Sequence, residues 1–364
     1  MNSVSKRIVL ASLALSLSGL FCGAQDVVYT DAKAFPLYGK AVENTSARYQ
    51  RFTADMESLT RKPLWDLSLN SAGLYIRFRS DAPSIHAKWH NTAYHMPHMT
   101  DIGVGGLDLY AIIGGKWMFV GSGFTWDSSS SKERMIVGNM EPVMREYMLY
   151  LPLYDSIDSL EIGVPEGYVL EGPRVARPVS DGPVVMYGTS ILQGGCASRP
   201  GMVHTAILSR RLDREVINLG FSGNGQLDLE VARLIAKVKN PSLIILDYVP
   251  NATVEQMKER AMDFFKIIRE AHPDVPVIFV EDPTFTHSIV DLKIREEIES
   301  KNAQQKEVFK QAKASGAKKI YYVATEGMIG DDGEACVDGI HFTDLGMMRY
   351  VDHIMPVVKK ALRK

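Results

Sequence analysis

The sequence has no excess of charge of either sign. Its 364 residues include 41 Lys and Arg against 43 Asp and Glu, a formal net charge of −2. There is therefore no electrostatic reason to expect nucleic acid or an anionic membrane surface as a partner. After the N-terminal segment, no run approaches the ~18 uninterrupted apolar residues of a membrane span, and no internal repeat is present. These absences favour a soluble globular protein without a membrane-spanning helix.

The one long apolar run lies at the N-terminus and has the pattern of a signal peptide. Lys6 and Arg7 precede IVLASLALSLSGLF, and Cys22-Gly23-Ala24 offers small residues for a signal peptidase. We expect residues 1–24 to be removed by cleavage after Ala24, which makes the protein exported, either periplasmic or secreted. A lipoprotein anchored through Cys22 is the less favoured alternative, because Phe21 is bulky where a small residue is expected.

Residues 25–175 form the first predicted domain, and their pattern is that of short β-strands. The segments are rich in aromatic and β-branched residues and often alternate in polarity, and turn-forming residues separate them. They are LYIRFRS, SIHAKWHNT, LDLYAIIGG, KWMFVGSG, REYMLYLPL and SLEIGVP. Many short strands with little helical periodicity predict an antiparallel β-sandwich or jelly roll.

A proline- and glycine-rich stretch, EGPRVARPVSDGP (residues 171–183), is the best linker in the chain, and the pattern changes after it. The second predicted domain, residues 176–364, contains compact apolar strands without alternation, as expected when both faces of a sheet are covered. Amphipathic helical segments lie between them. Regular alternation of strand and helix predicts a parallel sheet in a flavodoxin-like three-layer α/β/α fold.

Polar and glycine-rich segments follow the strands of this second domain. The first strand leads into GTS, the second into NLGFSGNG and the third into DYVPN, while CVDGIHFTDLG precedes the last helix. In a doubly wound sheet, functional groups collect at the carboxyl ends of the strands. We therefore expect Ser190, Gly223, Asn251, Asp338 and His341 to lie close together.

These residue types match the requirements of acyl transfer. The reaction needs a hydroxyl nucleophile, an imidazole that takes its proton and a carboxylate that orients the imidazole, and Ser190, His341 and Asp338 are the candidates. It also needs donors directed at the developing oxyanion. The backbone N–H groups of Ser190 and Gly223 and the side-chain amide of Asn251 are the candidate donors. The chemistry needs no cofactor and no metal, and we predict neither.

In the segments that contain these residues, the chain resembles the SGNH (GDSL-like) hydrolases, and the resemblance covers about residues 182–364. The resemblance implies that Ser190 is the nucleophile, that Asp338 and His341 are the DxxH pair, and that Gly223 and Asn251 belong to the oxyanion hole. Two positions depart from the usual pattern: Thr189 replaces an aspartate, and VPNA replaces GxND. The segment GLDLY, residues 106–110, also resembles the GxDLY signature of a β-rich domain that precedes a divergent branch of these hydrolases.

Each of these features has a simpler alternative. Ser190 alone would serve as a helix cap, and the glycines of NLGFSGNG would serve as turn residues. Arg199 is a candidate for binding an anionic substrate group or for a structural ion pair. Four histidines are clustered in SIHAKWHNTAYHMPHM, but no HExxH pattern accompanies them, so we interpret them as solvated or structural rather than as metal ligands. They are His86, His90, His95 and His98.

The sequence contains three cysteines, and removal of the signal peptide leaves Cys196 and Cys336. Cys196 lies close after Ser190 in the chain and Cys336 close before Asp338, so convergence of the site would bring the two together. In an oxidising compartment they are a possible disulfide, with a pair of unlinked thiols as the alternative.

The sequence thus predicts an exported serine esterase that hydrolyses small acyl esters, acetate above all, on a small-molecule or oligosaccharide substrate. A carbohydrate-binding protein with a vestigial hydrolase domain is the alternative from another class, and a lipase or other acylhydrolase is the alternative within the same class. The acyl group, the sugar, the regiochemistry and the oligomeric state do not follow from the sequence.

Overall fold

The computed structural model of the chain describes residues 26–176 and 182–363. The predicted signal peptide and residues 177–181 of the predicted linker lie outside this range. Within it, no helix combines the length and apolar character needed to cross a bilayer.

The N-terminal half is built mainly of antiparallel strands. The strands are β1 (Val27–Asp31), β2 (Leu37–Tyr38), β3 (Tyr75–Ser80), β4 (Ile85–Asn91), β5 (Leu107–Ile113), β6 (Lys116–Gly123), β7 (Ser131–Val137), β8 (Arg145–Tyr150), β9 (Ile157–Pro165) and β10 (Leu170–Glu171). The helices of this half are short: α1 (Met56–Leu59), α2 (Lys62–Ser68) and α3 (Asp101–Gly105), with a 3-10 turn at Ala32–Ala34.

Two antiparallel sheets share one core in this half. One has the strand order β1-β9-β4-β7, and the other has the order β10-β3-β8-β5-β6 with β2 added beside β3. Alternation places every second side chain of a strand on the buried face. A single buried cluster contains Trp89 and Ile162 from the first sheet together with Phe78 and Leu109 from the second. The predicted antiparallel β-rich half is therefore confirmed.

The C-terminal half alternates strands and helices. Its strands are β11 (Val184–Gly188), β12 (Val216–Gly220), β13 (Leu243–Asp247), β14 (Val277–Val280) and β15 (Ile320–Val323). Its helices are α4 (Ser190–Gln193), α5 (His204–Leu212), α6 (Leu229–Ala236), α7 (Val254–Ala271), α8 (Leu292–Ala314) and α9 (Asp344–Leu362), with 3-10 turns at Pro200–Met202 and Thr286–Ile289.

The sheet of this half is parallel and has the order β12-β11-β13-β14-β15. Successive residues of a strand face opposite layers: Met186 packs in one buried cluster with Tyr350 of α9, and Tyr187 packs in another with Phe264 of α7. Helices therefore cover both faces, as the unbroken apolar strands predict. The α/β fold is confirmed, and the strand order places β12, β11 and β13 side by side, with β12 at the edge of the sheet.

The two halves meet through a buried polar contact. Asp108, inside the GLDLY segment, is fully buried and accepts hydrogen bonds from Arg199 Nη1 at 2.7 Å and from the Gly201 N–H at 2.8 Å. Arg199 also donates to the Tyr110 hydroxyl at 2.6 Å. Of the two roles considered for Arg199, the structure therefore supports the structural ion pair.

Candidate active site

The nucleophile candidate lies in the sharp turn between β11 and α4. Ser190 is the first residue of α4, so its backbone N–H has no acceptor within that helix. Thr189 is the N-cap, and its hydroxyl accepts a hydrogen bond from the Ile191 N–H at 3.3 Å. A threonine in place of the usual aspartate thus still caps the helix that presents Ser190.

Ser190, His341 and Asp338 form a continuous hydrogen-bonded chain. His341 Nε2 lies 2.8 Å from Ser190 Oγ, and His341 Nδ1 lies 2.6 Å from Asp338 Oδ2. The other carboxylate oxygen, Oδ1, accepts the backbone N–H groups of Ile340 at 3.1 Å and His341 at 2.8 Å. Burial alone would raise the pKa of Asp338, but these hydrogen bonds outweigh it and hold the pKa at about 2. Asp338 is therefore ionised at neutral pH and fixes the imidazole with its Nε2 facing the serine.

Gly223 and Asn251 lie at the same cleft as Ser190. Gly223 adopts a φ of +67°, which favours glycine, and an added Cβ would meet no atom within 4 Å, so its backbone is open to the cleft. The side-chain oxygen of Asn251 accepts the Gly225 N–H at 3.2 Å. Because that bond occupies the oxygen, the amide NH₂ is the group left to donate towards the cleft.

The neighbouring Asn224 is not a comparable donor. Its amide NH₂ donates to the Ser222 carbonyl at 2.8 Å, and its oxygen accepts from Arg61 at 2.8 Å. Pro250, which belongs to the VPNA departure from the family pattern, lines the same cleft as Asn251. The structure therefore keeps Asn251, rather than Asn224, beside Ser190 and Gly223.

The cleft has a volume of about 380 Å³ and is open to solvent. Beside the residues described above, its lining includes apolar groups together with three ionisable side chains. These further lining residues include Phe285, Ile294, Ile298, Asp282, Glu297 and Lys301.

Three residues that support the site were not singled out from the sequence. The Tyr154 hydroxyl, from the N-terminal half, donates to the Ser190 carbonyl at 3.1 Å. Gln193 accepts the Ser222 N–H at 2.9 Å and donates to the Leu153 carbonyl at 3.1 Å. Arg51 donates to the Gly220 carbonyl at 2.7 Å. All three connect the N-terminal half to the nucleophile turn or to the glycine-rich loop, and no motif marks them.

The clustered histidines of the sequence separate in the structure. His86 contacts Ser84, His90 pairs with Asp158 and His95 pairs with Asp101. His98 instead lies beside His341, and the centroids of the two rings are 5.5 Å apart. Potential ligand atoms of four side chains lie within 4.8 Å of one another: those of His98, Cys196, Asp338 and His341. A cation held there would engage two members of the hydrogen-bonded chain, so this cluster does not suit a resident catalytic metal.

The predicted disulfide between Cys196 and Cys336 is not present in the structure, where both residues are free thiols. Each sulfur is directed at a different carbonyl: Cys196 Sγ donates to His98 at 3.2 Å and Cys336 Sγ to Ile340 at 3.6 Å. Burial raises the pKa of Cys196 to about 12, so its thiol is protonated at neutral pH. The loops that carry the two cysteines do converge beside Asp338, as expected.

Comparison with known proteins follows the same division of the chain. Residues 181–359 match the model of the GDSL-like lipase/acylhydrolase family, and residues 27–170 match the model of the N-terminus of SGNH-hydrolase-type esterases. A solved structure from Bacteroides ovatus, described as a GDSL-like lipase, is 35% identical, with a TM-score of 0.88 over 93% of this chain and 98% of that one. This chain belongs to the GDSL-like lipase/acylhydrolase family. It is a carboxylic ester hydrolase.

More distant members of the fold carry several acyl chemistries. The salicylyl-acyltransferase SsfX3 of a tetracycline biosynthetic pathway is 17% identical, with a TM-score of 0.73 over 94% of this chain and 99% of that one. A family two carbohydrate esterase from Clostridium thermocellum, solved with cellohexaose, is 13% identical, with a TM-score of 0.55 over 80% of this chain and 93% of that one. At these identities the likeness concerns the fold alone. No curated protein sequence matches this GDSL-like hydrolase.

Proposed function

We propose that this hydrolase removes small acyl groups, acetate above all, from carbohydrate hydroxyls by a serine-based acyl-enzyme mechanism. The observation that carries the proposal is the unbroken hydrogen-bonded chain from Ser190 through His341 to Asp338. A serine that only capped a helix would need no imidazole at its Oγ. The same geometry argues against a vestigial hydrolase domain.

In the first half-reaction, Ser190 Oγ attacks the ester carbonyl carbon while its proton passes to His341 Nε2. Ionised Asp338 stabilises the imidazolium that forms. The bond between the carbonyl carbon and the alcohol oxygen then breaks, and His341 returns the proton to the departing alcohol. In the second half-reaction, water adds to the acyl-enzyme with His341 again as the base, and the acid and free Ser190 are released.

The negative charge on the tetrahedral intermediate needs donors that are already in place. The backbone N–H groups of Ser190 and Gly223 and the amide of Asn251 border the cleft around the nucleophile. Donors of this kind act on the transition state more than on the ground-state carbonyl. We assign the oxyanion hole to these three residues.

The character of the cleft supports a small acyl group and a polar alcohol. The cleft carries Asp282, Glu297 and Lys301 beside its apolar residues, and burying these charged groups beside a long hydrocarbon chain would be costly. This disfavours the lipase alternative. A carbohydrate alcohol is supported by analogy, since a protein of the same fold binds cellohexaose.

Two further parts of the proposal concern the remainder of the chain. We propose that residues 1–24 direct export, on the sequence pattern already described. We also propose that the two antiparallel sheets pack face to face as a β-sandwich, because residues of both sheets belong to one buried cluster.

The proposal is tested in two steps. A fluorophosphonate probe should label the wild-type protein and the Ser222→Ala variant but not Ser190→Ala, since Ser222 lines the same cleft without an imidazole partner. Acetate release from a panel of acetylated oligosaccharides, compared with esters of long fatty acids, then tests the substrate class. Labelling of Ser190→Ala would overturn the nucleophile assignment, and preferential cleavage of fatty acyl esters would overturn the carbohydrate assignment.

A further inference from the structure

A nearly buried carboxyl group without a hydrogen-bond partner faces the catalytic cleft. Asp282 follows β14, lines the cleft together with Ser190 and is 3% exposed. Its backbone is held at both ends by Asn302, which accepts the Asp282 N–H at 2.7 Å and donates to the Asp282 carbonyl at 3.0 Å. Among the described residues, its buried Oδ1 has no hydrogen-bond partner. The backbone is thus fixed, while the carboxyl group is left unsatisfied.

Neighbouring buried carboxyl groups are satisfied within the protein. Asp247, at the end of β13, accepts the Tyr350 hydroxyl at 2.7 Å. Glu281 accepts the Tyr322 hydroxyl at 2.7 Å and the Thr325 N–H at 2.9 Å. Native proteins pair the large majority of their buried polar atoms, so an exception beside a catalytic serine calls for an explanation. Burial raises the pKa of Asp282 to about 7.

Two charged residues of α8, Glu297 and Lys301, line the cleft together with Asp282. Lys301 Nζ pairs with Glu297 at 2.6 Å and donates to the Pro250 carbonyl at 3.2 Å. An ammonium group has three donors, so these contacts leave one for a molecule in the cleft. The bond to Pro250 also connects Lys301 to the loop that carries Asn251.

A hydroxyl group fits this combination better than other ligand groups. It donates one hydrogen bond, which the Asp282 carboxylate can accept, and it accepts another, which Lys301 can donate. A substrate carboxylate or phosphate would be repelled by Asp282 and Glu297, and an alkyl chain would leave the Asp282 oxygen unpaired.

We propose that Asp282 and Lys301 form a subsite that binds a hydroxyl group of the ester substrate beside Ser190. This inference rests on the proposed function and deepens it, because it gives the substrate a free hydroxyl near the ester. Asp282 is then a specificity-determining residue rather than a member of the catalytic chain.

The test uses two esters of the same size that differ by one hydroxyl: 2-hydroxyethyl acetate and propyl acetate. The quantity measured is the ratio of their kcat/KM values, since a general loss of activity cancels within each variant. We expect the wild-type ratio to favour the hydroxyl ester by about 10- to 100-fold, the size of one hydrogen bond to a charged group. In Asp282→Asn and in Lys301→Met the ratio should fall towards one.

Asp247→Asn is the matched control, because it makes the same change at the end of the neighbouring strand, in a buried carboxyl group that already has a protein partner. Its ratio should remain that of the wild type. A wild-type ratio near one, an unchanged ratio in Asp282→Asn, or an equal fall in Asp247→Asn would overturn the subsite. Neither ester contains a sugar. A retained ratio with no cleavage of acetylated oligosaccharides would therefore refute the carbohydrate assignment and leave the subsite standing.

Discussion

Replacement of Arg51 tests whether the N-terminal half positions the oxyanion loop. Arg51 is 1% exposed, and its guanidinium donates to the backbone carbonyls of Leu67 at 2.6 Å, Asn70 at 3.1 Å and Gly220 at 2.7 Å. It also lies over the Phe221 ring at 4.6 Å. Gly220 ends β12 and leads into the loop that carries Gly223. One side chain therefore joins residues of the β-rich half to the base of the loop assigned to the oxyanion hole.

The expected loss of stability follows from the hydrogen bonds that the Arg51→Met substitution removes and from the desolvation cost that it relieves. The carbonyls of Leu67, Asn70 and Gly220, and that of Asn218 at 3.4 Å, lose the guanidinium as a donor, and a buried carbonyl left unsatisfied costs about 1–3 kcal/mol. Part of this is offset, because a buried charge no longer has to be desolvated; burial already lowers the pKa of Arg51 to about 9. We expect a net loss of about 3–5 kcal/mol in the free energy of unfolding. In the variant we expect Gly220 to shift and to displace the loop that carries Gly223. The value of kcat should therefore fall by about 10-fold or more while KM changes less.

The assay combines denaturant unfolding with ester kinetics below the unfolding transition. Arg48→Met is the matched control, because Arg48 donates to Ala32 and Phe35 within the N-terminal half. It should lose stability and keep its kcat. If Arg51→Met kept both the wild-type stability and the wild-type kcat, or if Arg48→Met lost kcat equally, the loop would not be positioned through Arg51.

Three further predictions concern single side chains. Ser190→Ala or His341→Ala should lower kcat by about 10⁴-fold or more with an unchanged melting temperature, and retention of a few per cent of turnover in either variant would refute the triad assignment. Asn251→Ala should lower kcat by about 10²–10³-fold with less effect on KM, and a mild effect would remove it from the oxyanion hole. His204 is fully buried, and burial lowers its pKa to about 3. The unfolded chain therefore binds more protons than the folded one as the pH falls from about 6.5 towards 3, and His204 contributes a loss of up to about 1.4 kcal/mol of stability per pH unit. His204→Phe should flatten that dependence in unfolding measured from pH 7 to 4, and an unchanged slope would contradict the assignment.

The main elements of the fold could be predicted because most of the longer strands carry their own local signal. The compact apolar strands of the C-terminal half and the alternating strands of the N-terminal half appear where the pattern places them. β7 (Ser131–Val137) was not predicted. Its sequence, SKERMIV, is rich in charge, and the strand lies at the edge of its sheet, where most of its residues remain partly or fully exposed. An edge strand of this kind lacks the apolar alternation that marks a half-buried one.

A rule of sheet topology was enough to predict part of the candidate site from the sequence. Parallel strands place their carboxyl ends at one edge, so residues that follow β11, β12 and β13 were expected to meet, and Ser190, Gly223 and Asn251 do. The same rule applies to Asp282 after β14, in VIFVED, but an acidic residue after a strand has no distinctive motif. Whether the carboxyl group of Asp282 has a hydrogen-bond partner depends on the position of α8, which only the structure shows.

Contacts between segments that are far apart in the chain could not be predicted from the sequence, and they change the interpretation of the β-rich half. The Tyr154 hydroxyl donates to the carbonyl of Ser190, and Arg51 donates to the carbonyl of Gly220, at the start of the loop assigned to the oxyanion hole. Gln193, within α4, donates a hydrogen bond to the Leu153 carbonyl and accepts one from the Ser222 N–H. The buried cluster on one face of the parallel sheet also includes aromatic residues of the N-terminal half, such as Tyr75 and Tyr150. Removing this half would expose apolar surface and leave the carbonyls of the catalytic turns unpaired. The N-terminal half is therefore better understood as a structural part of the candidate catalytic centre than as a detachable binding module. Arg51, which contributes to this support, precedes Ser190 by more than a hundred positions in the chain.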